Sequence, residues 1–201
     1  MNEDHSFRLV LLPWAVSFML IAAYHRWRAH TGEKLDRRQE GMLILVTLRL
    51  AGIGWMLGLF AYLVNPAGIA WAAVRLPDWL RWAGAGIGFA AALLLAWTLH
   101  HLGRNLTDTV VTRQRHTLVT TGPYRWVRHP FYSSVALAAL AGALMAANAG
   151  LLITGGLMFL LMVIRTRKEE TNLLARFGDD YRKYMGSAGR FIPRWPCDWV
   201  A

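Results

Sequence analysis

The chain has 201 residues, of which 55% are hydrophobic and 17% charged. A soluble domain carries about 25% charged residues, so this composition argues against a water-exposed globule and for an all-α integral membrane protein. The net charge of +10 gathers in the loops between apolar runs, which reads as membrane topology and not as a nucleic-acid surface. A lone cysteine, Cys197, excludes an internal disulfide and any cysteine-rich zinc site, and the seven histidines form no H-x-x-x-H or H-E-x-x-H pair, so no metal is expected.

Apolar runs near the length that crosses a bilayer recur along the chain. Phe7 to Tyr24 is the first, with Pro13 as a predicted kink. Glu3 and Asp4 give the wrong N-terminal charge for a cleavable signal. After a polar loop over His25 to Glu40, Met42 to Val64 forms the second span and carries Arg49, which must snorkel or find a partner. Asn65 to Asp78 reads as an outer loop with a short helix over Ile69 to Val74. Trp79 to Leu99 is the third span, and its Gly84, Gly86 and Gly88 suit close helix packing. A long polar connection, His100 to Pro130, leads to Phe131–Ala147 and Ala149–Ile164, a tight antiparallel pair broken only at Asn148. The helix continues out of the membrane over Arg165 to Phe177 and stops at Gly178. Asp179 to Ala201 reads as an aromatic, basic tail. The whole, 1–201, is expected to be a single membrane domain of about five transmembrane helices with a cytoplasmic C-terminal helix and tail.

With five spans, eighteen of the 22 Lys and Arg residues fall on one side. The positive-inside rule then predicts an outer N-terminus and a cytoplasmic C-terminus. Two polar clusters share that cytoplasmic face. The first is Leu118 to Ser134, LVTTGPYRWVRHPFYSS; the second is Arg165 to Glu170, RTRKEE. Pro130 is suited to start a helix. Arg128 and His129 at that positive helix end make sense where an anion binds, or as a juxtamembrane anchor with Tyr124, Trp126 and Tyr132. In the second cluster Arg165, Glu169, Asn172 and Arg176 share a helix face. Glu170 lies among Leu173, Leu174 and Phe177 and needs a cation, from Arg128, Arg165 or a bound ligand.

The pattern Arg128-His129-Pro130-Phe131-Tyr132, an apolar span, then Glu169-Glu170 resembles the membrane methyltransferases of the isoprenylcysteine carboxyl methyltransferase and phospholipid methyltransferase group. The likeness runs upstream through His116-Thr117-Leu118-Val119-Thr120-Thr121-Gly122-Pro123-Tyr124 and downstream through Leu173, Phe177-Gly178, Tyr181 and Tyr184. It covers roughly His100 to Pro193. Ser134 stands where that group often has glycine.

The resemblance implies S-adenosylmethionine as methyl donor, in a cytoplasm-facing pocket capped by the C-terminal segment. By position His116, Leu118, Val119, Gly122, Tyr124, Arg128, His129, Pro130, Tyr132 and Glu170 would bind the cofactor. Arg165 and Glu169 would be catalytic, with Arg165 near the reacting methyl group. A carboxylate acceptor needs no base, only an arginine to hold it; an amine or thiol would need Glu169 or Glu170 as proton acceptor. The expected function is methyl transfer to a lipophilic or lipidated substrate drawn from the membrane, first of all the carboxyl group of an isoprenylcysteine-like acid. Phospholipid N-methylation, thiol S-methylation and a non-enzymatic membrane binding module are the alternatives.

Overall fold

The computed structural model describes residues 3–29, 42–105 and 117–194. Its architecture is an up-and-down set of helices: α1 (Glu3–Arg28), α2 (Met42–Val64), α3 (Asp78–Leu102), α4 (Pro130–Met145), α5 (Ala149–Phe177) and the short α6 (Asp179–Ser187). Four of these, α1, α2, α3 and α5, are long and apolar enough to cross a membrane. The outward faces are lined by exposed Leu9, Leu20, Leu57, Phe60, Phe89 and Ile153, as lipid contact requires. The fourth expected span differs. α4 has 16 residues, about 24 Å of helix against a hydrocarbon core of about 30 Å. It lies packed inside the bundle, with Ala138, Ala139, Ala141, Ala143 and Met145 buried.

Small residues let α4 sit so deep. Gly84 of α3 abuts Leu144 and the α4 backbone, and Gly155 of α5 abuts Ala139, so a methyl group at either position would meet a neighbour closer than van der Waals contact. This is small-residue packing of the kind used between helices in lipid. The α4–α5 turn is tight: Ala147 takes a positive φ of 47°, and the Asn148 side chain accepts a hydrogen bond from Leu151 N at 3.1 Å while donating to Ile69 O at 3.1 Å. A 3-10 turn over Pro66–Ala72, not a helix over Ile69 to Val74, covers this end.

The same end carries a buried cation. Arg81, 6% exposed, donates to Met145 O at 2.8 Å, to Tyr62 Oη at 3.0 Å and to Asp4 Oδ1 at 2.8 Å. Its guanidinium lies 3.8 Å from the centre of the Phe7 ring. Four helices are thereby tied through one side chain whose charge is fully engaged. Arg8 adds a bond to Leu63 O at 3.0 Å. With α1, α2, α3 and α4 pinned here, the opposite ends of α3, α4 and α5 converge to hold the polar clusters.

The C-terminal region is more ordered than a basic tail. Gly178, at φ 54°, ends α5, and α6 begins at once. Asp179 and Asp180 occupy the first turn of α6, where negative charge is favoured by the helix dipole. Tyr181 and Tyr184, three residues apart, turn inward and are buried.

Candidate functional site

Trp126 to His129 is a turn followed by irregular chain that leads into α4. The chain following α6 runs alongside it: Arg128 N donates to Gly189 O at 2.8 Å, His129 N to Arg190 O at 3.0 Å, and Gly189 N to Trp126 O at 2.9 Å. Ser133 Oγ then reaches Phe191 O at 2.6 Å. The backbone N–H groups of residues 128 and 129 are therefore paired with the chain's own C-terminal segment.

An anion does sit at this helix start, and it is Glu170. Its side chain is 5% exposed and accepts from Arg128 Nε at 3.0 Å and from His129 Nε2 at 3.1 Å. Arg190 grips it with two nitrogens, Nε at 3.2 Å and a close contact from Nη2. A carboxylate only accepts, so His129 carries its proton on Nε2 here. Arg128 also donates to the carbonyls of Met185 and Ala188. The bond to Glu170 pushes the Arg190 guanidinium above its ordinary range. Of the partners expected for Glu170, Arg128 takes the place; Arg190 was not anticipated, and its one signal was a basic residue in a basic tail.

Glu169 is in a different setting. Its Oε2 accepts from Tyr132 Oη at 2.8 Å, and Tyr132 stacks on His129 with ring centres 5.6 Å apart. The Arg165–Glu169 ion pair offered by helical spacing is not formed among the described residues, although both are half-buried on one face of α5. Pro130 is buried and starts α4 as expected. Ser134 is fully buried and its hydroxyl is satisfied by Pro130 O at 2.8 Å, which explains how a polar residue is tolerated at that position.

The upstream segment closes the other side. Tyr124 is buried, and its carbonyl accepts from Tyr184 Oη at 2.6 Å. Burial raises its hydroxyl well above the usual tyrosine value, with the Glu169 charge adding to the effect. Leu118 packs against Tyr181 and Tyr184; Val119 is half-buried nearby in sequence. Gly122 has φ 61° and lies so close to the His101 ring that a Cβ would overlap it, so His101 is a neighbour that sequence reasoning missed. Asn105 spans to Thr117, donating to its carbonyl at 3.2 Å and accepting from its N–H at 3.3 Å. His116 lies outside the described residues. The Tyr181 hydroxyl is buried with no hydrogen-bond partner among the described residues, close enough to Glu170 and Arg128 to feel both charges.

Residues 85–175 match the family model of the isoprenylcysteine carboxyl methyltransferase family. Among curated proteins, the chain is 30% identical over 126 residues to the methanethiol S-methyltransferase of Mycobacterium tuberculosis, covering 57% of this chain and 48% of that protein. It is 29% identical over 132 residues to the protein-S-isoprenylcysteine O-methyltransferase of Rattus norvegicus, covering 62% and 45%. The chain thus spans about half the length of the curated relatives it matches. Its fold is similar to that of a eukaryotic intramembrane Ras methyltransferase, isoprenylcysteine carboxyl methyltransferase, with a TM-score of 0.53 at 19% identity over 76% of this chain and 53% of the other. α6 and Arg190 lie beyond the stretch matched by the family model. Residues 85–175, which carry both polar clusters, are thus similar to the isoprenylcysteine carboxyl methyltransferase family.

Proposed function

We propose that the protein is an S-adenosylmethionine-dependent methyltransferase that methylates the carboxyl group of a lipophilic, isoprenylcysteine-like acid drawn from the membrane. The observation that carries this reading is the meeting of Arg128, His129 and Tyr132 with Glu169 and Glu170 at one end of the bundle, within the family-matched stretch. The active site faces the cytoplasm and the N-terminus lies outside, a topology that the distribution of Arg and Lys supports.

The residues present suit the cofactor. The orphaned Tyr181 hydroxyl adds a donor next to the charged cluster, and the segment with Leu118, Val119, Gly122 and Tyr124 supplies apolar and backbone groups; His116 precedes it in sequence. Arg128, His129 and Tyr132 answer its polar ends, with Pro130 fixing the helix start and Glu170 fixing Arg128 and His129. When bound, S-adenosylmethionine supplies the electrophilic methyl group of a sulfonium. The protein's own part is to position two reactants and keep water out. The segment Ala188 to Phe191, paired with residues 126–129, serves the second task. Arg165, at the inner end of α5, orients the acceptor carboxylate through a two-pronged guanidinium contact.

Purified protein in detergent is expected to bind S-adenosylhomocysteine and to transfer labelled methyl to a prenylcysteine analogue. Failure to bind would favour a non-enzymatic module. Arg165→Lys keeps the charge and loses the fork, so turnover is expected to fall about tenfold or more with S-adenosylhomocysteine affinity near wild type. Near-normal turnover would remove Arg165 from acceptor binding.

A further inference from the structure

We propose that Arg49 forms a binding site for an anionic phospholipid, whose headgroup phosphate it holds at the outward face of α2. The site lies apart from the two polar clusters and is independent of the methyltransferase reading.

Arg49 is the one charged residue of α2. It is exposed, and its neighbours on that face, Val46, Leu50, Ile53 and Met56, are exposed hydrophobic residues. The inner face at the same level is closed: Leu45 is buried and Leu48 packs against the core. Among the described residues Arg49 has no hydrogen bond, ion pair or ring contact. Arg8 and Arg81, on neighbouring helices, are by contrast bonded to carbonyl or carboxylate oxygens of the bundle.

Depth decides what neutralises this guanidinium. Arg49 is seven residues beyond Met42, the first residue of α2, about 10 Å along the helix. The 23 residues of α2 extend about 34 Å across a hydrocarbon core of about 30 Å, so the Arg49 backbone lies below the headgroups, where an unpaired charge is costly. Side chains lean toward the N-terminus of their own helix, and for Arg49 that end of α2 is the nearer membrane face. The guanidinium is thereby carried to the base of the headgroups while its methylene stem covers apolar surface. At that level a lipid phosphate presents the paired oxygens that a guanidinium takes with two parallel hydrogen bonds. Ile53 and Met56, one and two turns deeper on the same face, leave an apolar track for the acyl chain. A net negative lipid is favoured over a zwitterionic one, because an ammonium headgroup competes for its own phosphate.

The test reconstitutes the full chain in nanodiscs of phosphatidylcholine, with or without phosphatidylglycerol. Lipid retention is read by native mass spectrometry and stability by thermal melting. Wild type is expected to retain phosphatidylglycerol at high salt, which screens exposed Arg182 and Lys183 but not a contact at the acyl boundary. Arg49→Ala and Arg49→Gln should each lower that retention about tenfold, and Arg49→Lys, which keeps the charge without the fork, should fall between. Phosphatidylglycerol should raise the wild-type Tm above its value in phosphatidylcholine, and Arg49→Ala should erase the difference. Unchanged retention in Arg49→Ala and Arg49→Gln would overturn the proposal. So would displacement of the lipid by inorganic phosphate, which would make the ligand water-borne. A loss of stability in Arg49→Ala that is equal in both lipids would also overturn it, since a protein group would then be neutralising the guanidinium.

Discussion

Replacing Glu170 by alanine is the sharpest test of the cluster at the start of α4. The side chain removed is 5% exposed, and the two partners it leaves behind, Arg128 and His129, are 10% and 4% exposed. Stripping the anion from a buried pair costs about 3 to 5 kcal/mol. Arg128 retains two acceptors, Met185 O and Ala188 O, so the low end, about 3 kcal/mol, is expected. For a chain of this size that is a fall of about 6 to 12 °C in apparent Tm. Arg190 supplies the contrast. Its side chain is 36% exposed and free to be solvated, so Arg190→Ala should cost about 1 kcal/mol or less. Tryptophan fluorescence during heating of the detergent-solubilised protein reads both. The reasoning would be refuted by an unchanged Tm in Glu170→Ala, or by a loss in Arg190→Ala as large as that in Glu170→Ala, which would put the tail contact and not the buried pair in control.

Other expectations concern the surrounding elements. Gly122→Ala places a side chain at φ 61° and into the His101 ring; it should cost about 1 to 2 kcal/mol from the backbone alone and more from the overlap, and adding His101→Ala should recover only the overlap part in a thermal melt. The hydroxyls of Tyr124, Tyr181 and Tyr184 are raised above the usual value, first of all by burial. Their contribution to stability is intact below the unfolded value of about 10 and is lost as pH rises from there through the raised folded values; ultraviolet titration should therefore show them ionising together with unfolding. A tag after Ala201 should be cleaved by protease only from the cytoplasmic side, and cleavage from the opposite side would reverse the proposed topology.

The long apolar helices were legible because hydrophobic length is a local property of the chain. The α4–α5 turn at Asn148 and the α5 stop at Gly178 were legible for the same reason: a capping side chain and a left-handed glycine act over a few residues. α4 was read as one half of a tight antiparallel pair of spans; its depth in the bundle depends on where glycines of α3 and α5 meet it, which composition does not reveal. The need of Glu170 for a cation followed from Leu173, Leu174 and Phe177 around it on the helix. The second cation did not, since Arg190 arrives through backbone pairing of residues 189 and 190 with 126 to 129, and backbone hydrogen bonds leave no side-chain signature. α6 was missed because its nine residues carry no long apolar run, only two tyrosines one turn apart beside acidic first-turn residues.

Adjacent residues on a helix point about 100° apart, and this places the two glutamates against different neighbours. Glu170 turns toward the start of α4 and the returning tail, where two arginines and a histidine converge on it. Glu169 turns toward the Tyr132 hydroxyl and meets no cation among the described residues. Where environments separate two carboxylates in this way, their tasks separate as well. A carboxylate gripped by cations is a poor base but a good clasp: it joins α5, the start of α4 and the tail, and so holds Arg128 and His129 where a ligand of the Tyr181 corner would meet them. A carboxylate held by one neutral hydroxyl keeps its second oxygen without a hydrogen bond among the described residues. Substitutions at the two positions should therefore part company, with Glu170 variants read mainly in melting temperature and cofactor affinity, and Glu169 variants read mainly in which acceptor is methylated. Loss of stability at 169 equal to that at 170 would mean that both glutamates serve the clasp, and would leave the site without a proton acceptor of its own.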